Sequence, residues 1–218
     1  MLKRLHRILD IPALYHYIRQ LMLLGMPLNT WARIGNFNQT NERIADLGCG
    51  PSDILRFVDK KNKPAFYLGV DISEYYLRRA AARARKMEIT AEFIRIDLNQ
   101  LSTEQAIQQD LVNGLLRHQI TTVNLFGVIH HIDDESAICT LNTVYEASSV
   151  QSLNTEDVLI IKGNVINNFY ASLDRGEYVR TEDEYDALLS KSRWKSIEKV
   201  WSHAGVWPVK YLHYRLSK

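Results

Sequence analysis

Short apolar runs alternate with longer amphipathic ones through the middle of the chain. Residues 43–47, 66–72, 91–98 and 122–128 are compact and β-rich, and each predicts a strand; residues 157–162, very apolar, predict a fifth. Between them, a helical pattern restarts over 54–58, and residues 134–149 also read as helical. Ser73 is an N-cap candidate for a helix running to about Met87. Strand and helix in alternation predict a parallel sheet covered on both faces, with right-handed crossovers. The alternation breaks at the C-terminus. Residues 194–201 and 210–216 are two strand-like runs separated by a segment that starts Ser202-His203-Ala204-Gly205 and has Pro208 just before the second run, which predicts an antiparallel hairpin at the sheet edge. Ahead of the first strand, residues 3–25 fit one or two short helices punctuated by Pro12 and Pro27, and residues 27–41, with Pro, Gly and several Asn, read as a loop. The expected organisation is an N-terminal helical cap over 1–41 and a ligand-binding domain over 42–218.

Composition narrows this only a little. The 218 residues suffice for one domain with a substantial core, and a net charge of +2 does not by itself imply a nucleic-acid or membrane partner. Cys49 and Cys139 form neither a disulfide framework nor a zinc-like spacing, which favours a reducing, cytoplasmic compartment. No apolar run approaches the roughly 20 residues that span a bilayer.

The chemistry lies just past the strands, where open α/β sheets bind ligands. The first is followed by Asp46-Leu47-Gly48-Cys49-Gly50-Pro51-Ser52. Glycines there allow a tight turn and close backbone approach to a ligand. Asp53 occupies the place of the third glycine of a dinucleotide fingerprint, and there is no phosphate-loop lysine. Asp46 directly before the turn would repel a pyrophosphate and suits a ligand bearing an ammonium group, such as S-adenosylmethionine (SAM). A plain tight turn with an N-capping acid is the alternative. The second strand ends in Asp71, suited to accept both hydroxyls of a ribose, with an N-cap role as the alternative. The third ends in Ile96-Asp97-Leu98, where a carboxylate can accept from an adenine amino group between Ile72, Ile96 and Leu98.

Residues 44–51, Ile-Ala-Asp-Leu-Gly-Cys-Gly-Pro, resemble the glycine-rich first motif of class I, Rossmann-like SAM-dependent methyltransferases. Gly69-Val70-Asp71-Ile72-Ser73 is similar to their second motif, Asp97 to their third, and Phe126-Gly127-Val128-Ile129-His130-His131-Ile132 to their fourth; Gly176-Glu177-Tyr178-Val179-Arg180-Thr181 followed by Glu184-Tyr185 resembles a feature of some bacterial small-molecule methyltransferases. The resemblance covers about residues 42–163. It implies a doubly wound seven-stranded sheet, mostly parallel, with an antiparallel C-terminal strand. It also implies the roles. Gly48, Cys49 and Gly50 would line the methionine moiety with Asp46 near its ammonium. Asp71 would hold the ribose, Asp97 and Leu98 the adenine with Ile72 flanking its ring, and Phe126 and Gly127 would pass close to the sulfonium. Ser52 stands where the family's last glycine is usual, which implies a small change in loop shape.

The pair His130-His131 has three readings: a metal site, disfavoured because adjacent residues rarely face one ion; a general base for the acceptor; and a structural histidine. No metal is expected. The acceptor would lie under the N-terminal helices and the segment after strand five, with Tyr15, Tyr178 and Arg180 as candidate substrate contacts. Arg78, Arg79, Arg83, Arg85 and Lys86 share one helical face opposite Leu77, Ala80, Ala81 and Ala84, and read as a solvated surface rather than an RNA patch. The expected reaction is methyl transfer from SAM to oxygen or nitrogen of a small molecule. An RNA or protein acceptor on the same fold, a non-catalytic partner protein and an NAD oxidoreductase are the alternatives.

Overall fold

The computed structural model describes residues 26–173, 176–204 and 209–218. Five parallel strands, β1 (Arg43–Leu47), β2 (Phe66–Asp71), β3 (Ala91–Arg95), β4 (Thr122–Phe126) and β5 (Ser152–Val158), are joined at one edge by β6 (Ser196–Ala204) and β7 (Val209–Ser217). The order is β3-β2-β1-β4-β5-β7-β6, with β7 antiparallel to both its neighbours. The expected seven-stranded doubly wound sheet with its C-terminal hairpin is therefore present. Strand order reverses between β1 and β4, so a crevice opens past their carboxyl ends.

The helices are α1 (Met26–Ile34), α2 (Glu74–Lys86), α3 (Gln105–Arg117), α4 (Asp134–Glu146), α5 (Val165–Leu173) and α6 (Glu182–Ser190). Ser73 caps α2 as expected, its hydroxyl accepting from the Tyr76 amide. One core gathers Leu47, Leu68, Leu115, Leu125 and Leu141; the opposite face packs Ile44, Tyr67 and Phe126 under Trp31 and Phe37.

Four local expectations fail, each for a physical reason. Residues 26–34, expected as loop, form α1: proline is tolerated in a first helical turn, and Trp31 and Ala32 bury against the sheet. The helical run after β1 is only a 3-10 turn, Asp53–Phe57, before the polar stretch that begins at Asp59. Strand five begins at Ser152 rather than 157, because its polar residues are buried in pairs. Asn154 Nδ2 donates to Asn124 Oδ1 at 3.0 Å, and the Thr155 hydroxyl donates to Asp157 at 2.9 Å. The basic face of α2 is not wholly solvated. Arg83 turns inward, its side chain 12% exposed, and pairs with Asp53 at 2.7 Å while donating to the Pro51 carbonyl. Arg78, Arg79, Arg85 and Lys86 are exposed as expected.

Candidate active site

β1 delivers the chain into a turn that only its glycines fit. Gly48 has φ +73, and a Cβ there would meet Val128 Cγ2 at 2.6 Å. The amides of Gly48 and Cys49 both donate to the Val70 carbonyl, at 2.7 and 2.9 Å, tying the turn to β2. Gly50 has φ +53 with nothing within 4 Å of the Cβ position, so its backbone faces open space. Ser52 also adopts a left-handed conformation, φ 50 and ψ 46, a region that glycine enters freely.

Asp46 is 5% exposed and lies behind the turn. It accepts from the Tyr67 hydroxyl at 2.9 Å, and that hydroxyl also bonds Ser52 Oγ at 2.8 Å. Burial pushes the Asp46 carboxyl up to about 7; the Tyr67 hydrogen bond opposes this and the nearby Asp71 charge adds to it. Asp71 is oriented by two amides, Gly50 on Oδ2 and Ser73 on Oδ1, both at 2.8 Å. Burial raises its carboxyl from the usual range, against those two bonds. Each oxygen keeps a further lone pair for a ligand. Asp97 caps the short 3-10 turn Leu98–Gln100, accepting from the Asn99 amide at 3.0 Å.

These elements enclose a cleft of about 280 Å³ at the carboxyl ends of β1, β2, β3 and β4. Of the residues expected from sequence, Gly48, Gly50, Asp71, Ile72, Asp97, Leu98, Gly127 and His131 line it. Sequence reasoning missed Tyr76 and Asn99, which also line it. The signal was available: Tyr76 lies in the first turn of a helix capped at the strand ends. Tyr15 lies outside the described residues.

The other expected contacts go elsewhere. Cys49 is 8% exposed, and burial pushes its thiol well above the usual range. Phe126 stacks on Trp31, ring centroids 5.3 Å apart, on the far face of the sheet. Asp46 and Phe126 face that same side because strand side chains alternate and Asp46 pairs with Asn124. His130 is 2% exposed, with Nδ1 2.6 Å from Asp157 Oδ1 and its amide donating to the same oxygen at 3.2 Å; its ring belongs to the core. His131, beside it at 4.2 Å between ring centroids, is the histidine exposed to the cleft.

Arg180 is not placed to clamp an acceptor. It is 6% exposed, and its N–H donors reach the carbonyls of Ile129, Ile132 and Tyr178 and, twice, the Asp134 carboxylate, all at 2.7–2.9 Å. That commits the whole guanidinium fork. Together with the Tyr178 amide, which donates to the His130 carbonyl at 3.0 Å, it straps the 178–180 segment onto the loop that carries His131. The Tyr178 ring itself is 39% exposed. Among the described residues, no group of His, Cys, Asp and Glu is placed to hold a metal ion, and no helix is long and apolar enough to cross a membrane.

Comparison with known proteins agrees with this geometry. A family model described as a methyltransferase domain matches residues 44–147. No curated protein matches the chain. Solved structures with the same fold include a SAM-dependent methyltransferase from Archaeoglobus fulgidus, 12% identical, with 94% of this chain and all of that one aligned at a TM-score of 0.64. Human N-acetylserotonin methyltransferase in complex with SAM is 16% identical over 88% of this chain and 53% of its own, with a TM-score of 0.58. The small RNA methyltransferase HEN1 is 15% identical over 88% of this chain and 25% of its own, with a TM-score of 0.65. The glycine turn, the carboxylates ending β2 and β3 and the methyltransferase-domain match over residues 44–147 converge: the chain has the class I, Rossmann-like fold of SAM-dependent methyltransferases.

Proposed function

We propose that the chain transfers a methyl group from SAM to an oxygen or nitrogen of a small-molecule acceptor that has an apolar part. The observation that carries this is the character of the surface past β4 and β5. Five large apolar side chains are exposed there, Ile160, Val165, Ile166, Phe169 and Tyr178, beside the charged Lys162 and Glu177. Binding to a phosphate backbone calls instead for Lys and Arg, and exposed Arg78, Arg79 and Arg85 lie along α2, which packs on β2 and β3, on the other side of β1 from that surface.

The cofactor roles follow from the cleft. The two carboxylate oxygens of Asp71, already aimed by amides, take the ribose hydroxyls. Asp97 accepts from the adenine amino group, with Ile72 and Leu98 against the ring. The open backbone of Gly48 and Gly50 receives the methionine end. The cofactor supplies an electrophilic methyl on a sulfonium. The protein's part is to orient it, exclude water and hold the nucleophile in line. His131, at the end of β4, takes the acceptor's proton when that group is a hydroxyl. Cytoplasmic location belongs to the same reading; of the expected cap over 1–41, residues 31–37 pack instead against the sheet through Trp31, Ala32 and Phe37.

Incubation with methyl-labelled SAM tests the acceptor class, with phenols, amines and total RNA offered separately. Label is expected in a phenol or amine; label in RNA alone would refute the small-molecule reading. Once an acceptor is in hand, His131→Ala is expected to lower kcat by roughly a hundredfold or more, the range for loss of a general base. S-adenosylhomocysteine affinity should not change. An unchanged kcat would leave positioning alone to explain the rate.

Affinity for the cofactor should depend on pH through Asp46. Its carboxyl titrates at about 7 in the free protein, and a ligand ammonium across the glycine turn favours the ionised form. The bound protein then holds fewer protons than the free one below that pH, so affinity rises as pH climbs towards about 7 and levels off above it. It falls again near pH ~8, as the ligand's amine loses its own proton. Tyr67, Cys49 and Asp71 also face this carboxyl. The tyrosine and thiol stay neutral here, since burial raises both. Asp46→Asn should flatten the rising limb, and calorimetric titration across the range checks it.

A further inference from the structure

Tyr67 is the second residue of β2, fully buried, its ring packed between Phe37 and Phe93 at centroid distances of 6.1 and 5.9 Å. Its hydroxyl is the junction between two parts of the glycine turn. It donates to Asp46 Oδ2 at the end of β1, which leaves its oxygen to accept from the Ser52 hydroxyl at the far end of the turn. Ser52 is itself fully buried. Its left-handed backbone is one that glycine adopts freely and a residue with a Cβ adopts at a cost. A glycine there would avoid that cost but would have no hydroxyl to anchor. The serine accepts the backbone cost and gains a fixed attachment to β2.

We infer that Tyr67 is a positioning residue for the cofactor: through Ser52 and Asp46 its hydroxyl fixes the shape of the turn that receives the amino-acid end of the ligand. This rests on the proposal that Gly48 and Gly50 receive that end. Tyr67 touches no reacting atom, being separated from the cleft by the turn. Its influence is confined largely to the turn: at the adenosine end Asp97 is held by the Asn99 amide, and Asp71, which takes one bond from Gly50 of the turn, keeps a second from the Ser73 amide.

The confinement is what a test can read. S-adenosylhomocysteine carries the amino-acid end; 5′-methylthioadenosine has the same adenosine and sulfur without it. Tyr67→Phe removes one oxygen and keeps the ring. It is expected to weaken S-adenosylhomocysteine about tenfold, as loss of a buried hydrogen-bonded junction does, and to leave 5′-methylthioadenosine within about twofold. Ser52→Ala, which breaks the same junction from the other side without touching the core of β2, should show the same selective loss. Combining the two should cost no more than about twofold beyond either alone, because both remove one linked interaction. Ser52→Gly should fall between Ser52→Ala and the unaltered protein, since it loses the anchor but relieves the backbone. Equal weakening of both ligands, no weakening, or losses that add in the double variant would each overturn the positioning role. If Tyr67→Phe does not fold, Ser52→Ala decides by the same comparison. Failure of the unaltered protein to bind either ligand would instead refute the site reading on which this rests.

Discussion

Asp71→Ala is expected to weaken binding of SAM and S-adenosylhomocysteine by about a hundredfold or more. Two charge-assisted hydrogen bonds to ribose hydroxyls are each worth about 1.5–3 kcal/mol, so their joint loss comes to at least ~3 kcal/mol, or two decades in affinity. The substitution also frees the amides of Gly50 and Ser73, which the carboxylate now holds at 2.8 Å. The turn and the start of α2 lose a shared anchor along with the ribose contact. Titration calorimetry on the folded variant measures the effect. A change of only a few fold would mean that the ribose lies elsewhere.

Arg180→Met should produce the largest loss of stability among the side chains near the cleft, about 3 kcal/mol. The guanidinium is buried and satisfies the Ile129 and Ile132 carbonyls, and an unsatisfied buried acceptor costs about 1–3 kcal/mol each. Methionine fills much of the volume but offers no donor. Asp134 is 62% exposed on its side chain, so its loss of partner adds little. For a protein of this size, the expected fall in Tm is about 6–12 °C, read by scanning calorimetry. The same variant loosens the loop that carries His131, so kcat should fall even at temperatures where the protein remains folded. A Tm within a degree or two of the unaltered protein would show that the carbonyls find other donors.

The cofactor half of the site was legible in the sequence because its chemistry is written in residue types at strand ends. Gly48 and Gly50 mark a turn that tolerates no Cβ or needs open space, and Asp71 and Asp97 end strands whose apolar runs are cleanly bounded. The acceptor half was less legible. Strand five is polar in sequence and buried in fact, because Asn154 and Asp157 find partners on β4 and in the loop beyond it, which no local pattern reveals. Arg180 beside Tyr178 has the composition of a ligand clamp, yet its donors are taken by carbonyls some fifty positions away in sequence. The motif assigns Cys49 and Phe126 to the cofactor, although strand alternation alone sets Phe126 on the face opposite the cleft. The inward turn of Arg83 likewise depends on a tertiary partner, Asp53, on another element.

The most direct test of the whole account is calorimetric titration of the unaltered protein with SAM, S-adenosylhomocysteine and NAD in separate runs. Micromolar binding of the first two with no response to NAD is the predicted result. Binding of NAD, or of none of the three, would contradict the assignment of the cleft to SAM.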